Sequence, residues 1–175
     1  MGGCFRILLD EVHRYEGTVD KFTGDGVMAL FGVPLAYEDH AQRACYAALS
    51  IREALGIYGQ RIQDALGLAF KMRVGLNSGT VIVGSVGDDL KMDYTALGDT
   101  TNLAARMQSL ARPGTILTTG HTQRLARDFF EFRPLGKLPV KGKANPQEAY
   151  ELVRASPLET RIQAEIVRGL TPFVG

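Results

Sequence analysis

Residues 17–32 read GTVDKFTGDGVMALFG: two apolar-rich runs, Val19–Phe22 and Val27–Phe31, around Thr23-Gly24-Asp25-Gly26. An Asp-Gly pair between such runs specifies a tight β-hairpin, because glycine takes positive φ at little cost. This commits residues 17–32 to a pair of antiparallel strands. The next segment is helical. Ala41, Ala44, Ala48, Ile51 and Leu55 form an apolar stripe at helical spacing, which predicts a helix from Glu38 to about Ala65. Its many alanines suit close approach to a sheet.

Further on the period changes again. Phe70, Met72, Val74 and Leu76 alternate with Lys71, Arg73, Gly75 and Asn77, the pattern of a half-buried strand. A second strand over Val81–Val86 and a short one over Tyr94–Leu97 follow. Asp99 is the expected N-cap of a helix beginning TTNLAARM, and Pro113-Gly114 ends it. Thr115–Thr118 reads as a strand, His121–Arg127 as a short helix, Phe129–Phe132 as the start of a strand, and Ala149–Val153 as a last one. Such mixing of hairpins and helices argues an α+β fold, a mostly antiparallel sheet with helices packed on a face.

The chain has 175 residues, 45% hydrophobic and 22% charged, which allows one domain with a real core. A net charge of +1 offers no basic field for nucleic acid or an anionic membrane. Two cysteines, Cys4 and Cys45, are too few for a disulfide framework or a cysteine metal site. No run of about 18 apolar residues is present, so no membrane span is expected. The N-terminus lacks the regions of a signal peptide, and a cytoplasmic location is the default. The chain opens inside an amphipathic helix (Phe5, Leu8, Leu9, Val12, Tyr15) and stops on LTPFVG. It therefore reads as a fragment, with residues 1–154 as the domain and 155–175 as a linker that holds one short helix.

Four groups of residues could carry chemistry. Asp25, between glycines, leaves room for a metal and a phosphate; it is also an ordinary turn aspartate. Lys21 is either a solvated strand lysine or a ligand-reading one. Asn102 and Arg106 stand at i and i+4 on one helical face, where an Asn can orient a sugar and an Arg can clamp a phosphate; an exposed polar face is the plain alternative. Lys141 and Lys143 in VKGKANP are phosphate contacts or a solvated turn. The three histidines show no metal spacing, and no Walker A, Rossmann or nucleophile-elbow pattern occurs.

Taken in order, EGTVDKFTGDGVMALFG, RVGLNSGTVIVGSVG, YTALGDTTNLAARM and VKGKANPQEAYEL resemble the catalytic domain of class III adenylate/guanylate cyclases, over about residues 5–154. The resemblance implies a ferredoxin-like α+β core that forms a head-to-tail homodimer, or pairs with a related cyclase domain, with active sites at the interface. It implies that Asp25 is the second of two metal-binding aspartates, for Mg2+ or Mn2+. Lys21 would read the purine and Thr95 would be its partner, a pairing that favours ATP over GTP. Asn102 would orient the ribose, Arg106 would stabilise the transition state, and Lys141, with Lys143 as rival, would contact phosphate. The family's first metal aspartate lies on a strand before the opening helix, upstream of Cys4. The expectation is thus an active parent cyclase and an impaired fragment. LTPFVG resembles the start of an ATPase module that follows some bacterial cyclase domains. A catalytically silent cyclase-like regulatory or dimerisation domain and a guanylate cyclase are the competing readings. A diguanylate cyclase would want a Gly-Gly-Asp-Glu-Phe-like hairpin, which TGDGV does not match.

Overall fold

The computed structural model describes residues 2–33, 35–85 and 94–157, with the backbone alone for 83–85 and 94–97. The element order is α1 (Gly2–Arg14), β1 (Thr18–Thr23), β2 (Gly26–Leu30), α2 (His40–Leu66), β3 (Val74–Leu76), β4 (Ile82–Ser85), β5 (Tyr94–Leu97), α3 (Asp99–Leu110), β6 (Ile116–Thr119), α4 (Gly120–Ala126), β7 (Phe130–Leu138) and β8 (Gln147–Ala155). The short helix expected within 155–175 falls on residues outside those described.

The expected α+β class is observed, with mostly antiparallel pairing. The central sheet has the order β3-β6-β8-β7, in which β3–β6 is parallel and the other pairs are antiparallel. The β1–β2 hairpin and the β4–β5 pair form two further antiparallel ladders. Helices pack on both faces of the central sheet and not on the one face expected, because adjacent β6 residues are apolar on both sides. Ile116 joins Cys45 and Ala48 of α2 and Ala126 of α4 in one cluster. Its neighbour Leu117 joins Leu103 and Met107 of α3 in another. Successive strand residues point to opposite faces, so the two clusters lie on opposite sides of β6.

A third cluster seats the hairpin. Val19, Val27, Ala29 and Phe31 pack on Leu8 and Val12 of α1 and Ile51 and Leu55 of α2. α2 ends where Gly67 turns left-handed at φ 67° and returns its N–H to the Gln63 carbonyl. Its buried face includes Cys45, Ala47 and Gly59 as well as the alanine stripe. Burial pushes the Cys45 thiol up to about 12, which makes it a core residue rather than a reactive one.

Two boundaries differ from expectation for identifiable reasons. The strand expected from Phe70 begins only at Val74, which leaves residues 70–73 outside the ladder. β7, expected to start over Phe129–Phe132, begins at Phe130 and runs through Pro134 to Leu138. A proline is tolerated there because β7 is an edge strand, and the register skips between Pro134 and Gly136. No helix among the described residues is long and apolar enough to cross a membrane.

Candidate active site

Lys21 and Asp25 project from one hairpin, as its sequence demands. Gly24 takes φ 45° at the tip, and Thr23 pairs with Gly26 around it. Asp25 is exposed, and a Cβ added at the neighbouring Gly24 would meet nothing within 4 Å. Lys21 is also exposed.

Between Val19 and Lys21 the ladder skips one residue. The extra residue of this bulge is Asp20, and its side chain is 0% exposed. A bulge sets two consecutive residues against one on the partner strand and re-aims a side chain. Asp20 Oδ2 consequently lies 4.0 Å from Lys21 Nζ. Asp20 is not among the candidate residues that the sequence singles out. The available signal was the broken alternation of Val19-Asp20-Lys21, two consecutive charges in an apolar strand.

α3 starts one residue earlier than expected. Gly98, at φ 132°, is the N-cap, a conformation open to glycine, and Asp99 becomes the first helical residue. Asp99 therefore does not cap. Its carboxylate sits in the first turn, favourable to the helix dipole, and takes the ammonium of Lys143. This pair joins residues 44 apart in sequence and draws the 140–143 turn to the N-terminus of α3. Lys143 is thereby engaged, while Lys141 is exposed. Asn102 and Arg106 are exposed one turn apart, opposite the buried Leu103 and Met107. Thr95 lies on β5 with its backbone opposite Gly84, and its side chain is outside the described residues. β5 touches both β1 and α3, so it bridges the hairpin and the helix.

Lys21, Asp25, Asn102, Arg106 and Lys141 are all exposed. A cavity of about 400 Å³ lies between the C-terminal half of α2, residues 69–74 and residues 113–116, and none of Lys21, Asp25, Asn102, Arg106 or Lys141 lines it.

Residues 3–154 match the family model of the adenylate and guanylate cyclase catalytic domain. The chain belongs to this family. It is 38% identical over 152 residues to adenylate cyclase 1 of Rhizobium meliloti, covering 85% of this chain and 23% of that protein. It is 33% identical over 153 residues to soluble guanylate cyclase gcy-34 of Caenorhabditis elegans, covering 85% of this chain and 21% of that one. The chain thus spans about a fifth of the length of these relatives. Among solved structures, the adenylyl cyclase CyaB from P. aeruginosa superposes with a TM-score of 0.82 at 31% identity, over 89% of this chain and 81% of that chain. The guanylate cyclase domain of RhGC from Catenaria anguillulae, in complex with GTP, superposes with 0.77 at 30% identity, over 89% and 82%.

Class III cyclase domains use divalent cations. Among the described residues no group of three or more His, Cys, Asp or Glu gathers, so no all-protein cage exists among them. Magnesium, however, keeps few protein ligands and takes the rest of its shell from substrate phosphates and water. Asp25, a hard oxygen ligand with open space beside it, fits as one such ligand.

Proposed function

We propose that this cyclase domain converts ATP to 3′,5′-cyclic AMP and pyrophosphate at the interface of a homodimer. The observation that carries this reading is the exposure of Asp25 and Lys21 on the hairpin and of Asn102 and Arg106 on α3, outside the cavity of the single protomer. Polar groups of this kind converge on a nucleotide when a second copy covers them.

In the proposed reaction the ribose 3′-hydroxyl attacks the α-phosphorus, its bond to the bridging oxygen breaks, and pyrophosphate leaves. The chemistry that divalent cations supply when bound is a lowered hydroxyl pKa and neutralised leaving charge; Asp25 would hold them. Asn102 orients the ribose so that the hydroxyl lies in line. Arg106 donates to the oxygens of the α-phosphate, where charge builds in the transition state. Lys21 and Thr95 read the adenine edge, and a guanine would leave buried groups unpaired. Lys141 contacts phosphate, and Lys143 holds its turn in place through Asp99.

The assignment of the two lysines has its own test. Lys141→Ala is expected to lower kcat/KM by about 10-fold or more, the loss of one charge-assisted hydrogen bond. Lys143→Ala and Asp99→Asn should each have a smaller effect, and the double variant should be no worse than either single one. A larger loss in Lys143→Ala than in Lys141→Ala reverses the two roles.

A guanylate cyclase is the second reading, favoured by the 33% identity to gcy-34. Assay of the full-length protein with ATP and GTP, each with magnesium or manganese, decides between them. The expected kcat/KM for ATP exceeds that for GTP by about 10-fold or more. Preference for GTP establishes the second reading, and turnover of neither nucleotide defeats both in favour of a regulatory or dimerisation role.

A further inference from the structure

Asn77 follows β3 directly and is half-buried. Its Nδ2 donates to the Thr100 carbonyl at 3.1 Å. Its Oδ1 accepts from the Thr119 hydroxyl at 2.6 Å. The orientation of the amide is forced, because a carbonyl only accepts, so the nitrogen must face Thr100.

That choice sets the direction of a longer chain. Thr119 spends its proton on Asn77, so its 3.5 Å contact with the Thr122 hydroxyl requires Thr122 to donate. Thr122 then accepts from Ser78 at 3.0 Å. The donors run Ser78, Thr122, Thr119, Asn77 and end on the Thr100 carbonyl. Thr119 and Thr122 are 4% and 1% exposed, so the relay is shielded from water where it crosses from α4 to β6. Chains of this sense polarise one another in a low-dielectric interior.

Thr100 is held from the other side as well. Its hydroxyl donates to the Thr80 carbonyl at 2.6 Å, and a Cβ at Gly79 would lie 2.8 Å from its Oγ1. The turn after β3 thus grips the second residue of α3 by its carbonyl and by its hydroxyl. Asn102 is two residues further along the same helix.

We propose that Asn77 is a positioning residue for the cyclase reaction: it locks the first turn of α3 to β3 and β6, and so fixes the angular setting of Asn102 and Arg106. This rests on the cyclase reading of the site. Asn77 touches no reacting atom in this scheme. Its loss loosens the first turn without removing a nucleotide contact, and in-line attack suffers more than binding does. A displacement near 1 Å can cost about 10²-fold in turnover.

The test uses the full-length protein. Asn77→Asp keeps shape and acceptor but loses the donor and sets a carboxylate against the Thr100 carbonyl. It is expected to lower kcat by about 10-fold or more while KM moves by less than about twofold. Thr119→Val, which breaks the relay away from α3, should act in the same direction, and Thr119→Ser, which keeps the hydroxyl, should recover most of that turnover. Combined with Asn77→Asp, Thr119→Val should add little. Hydrogen exchange supplies a readout independent of catalysis: amides of residues 102–105 should exchange about 10-fold faster in Asn77→Asp. Unchanged kcat with unchanged exchange overturns the proposal. So does an equal loss in Thr119→Val and Thr119→Ser. If Asn77→Asp fails to fold, the two Thr119 variants carry the comparison. If the parent protein turns over no nucleotide, the cyclase reading falls, and with it the catalytic part of the role. The exchange data then still decide whether Asn77 clamps α3.

Discussion

Arg106→Ala is expected to lower ATP turnover by about 10²–10³-fold, the usual cost of removing a donor aimed at transition-state charge. Fold and melting midpoint should be retained, because Arg106 is exposed on α3 and the buried face of that helix is made by Thr101, Leu103 and Met107. Asp25→Asn, at an exposed hairpin tip, should be comparably inactive and equally well folded. The sharper experiment mixes the two. In the head-to-tail homodimer that the cyclase resemblance implies, each active site would take Asp25 from one subunit and Arg106 from the other. A heterodimer of the two dead variants then contains one site with both residues intact. Random pairing makes half of the dimers heterodimers with one good site of two, so activity should return to about a quarter of the wild-type level. No recovery on mixing, with subunit exchange shown by a tagged copy, refutes the shared site. Wild-type turnover in Arg106→Ala alone refutes the role of the arginine.

Gly75→Ala is expected to produce the largest loss of stability. Gly75 is in the middle of β3, and α3 lies directly on it. A Cβ there would stand 2.1 Å from the Ala104 carbonyl oxygen and 2.2 Å from the Gln108 nitrogen. Both are backbone atoms of α3, so no rotamer change relieves the clash, and the helix must lift from the strand. Overpacking of this kind costs about 3 kcal/mol or more, and the melting midpoint should fall by roughly 6–12 °C for a domain of this size. Activity should fall further than stability requires, since α3 also carries Asn102 and Arg106. Gly56→Ala is the matched control. That glycine lies within α2, and an added Cβ meets nothing within 4 Å. Alanine there should stabilise by about 0.5–1 kcal/mol. A Gly75→Ala midpoint at or above the wild-type value would show that α3 does not bear on β3 as closely as described.

Legibility in the sequence followed distance along the chain. The β1–β2 hairpin was readable because its turn chemistry is confined to Thr23–Gly26. α2 was readable because its apolar stripe repeats at helical spacing from Ala41 to Leu55 and its stop is a single glycine. The family was readable because its four motifs occur in order. The N-cap of α3 was misjudged by one residue: Asp99 is a good cap by composition, but Gly98 can reach φ 132°, and Asp99 finds Lys143 instead. Only the start of β7 was legible, because Pro134 ordinarily stops a strand and nothing local says that this strand lies at an edge.

By itself the sequence determined the α+β class, most of the elements and the cyclase family, since turn chemistry, hydrophobic period and motif order are all local or ordered along the chain. The tertiary structure alone decided which side chains act together. The burial of Asp20 came from a bulge, the pairing of Lys143 with Asp99 from an ion pair spanning 44 residues, and the hold on the Thr100 carbonyl from an Asn77 amide that also accepts from Thr119. Each of these depends on where distant segments meet when the sheet closes, and a side chain's charge or amide acquires its partner only at that point.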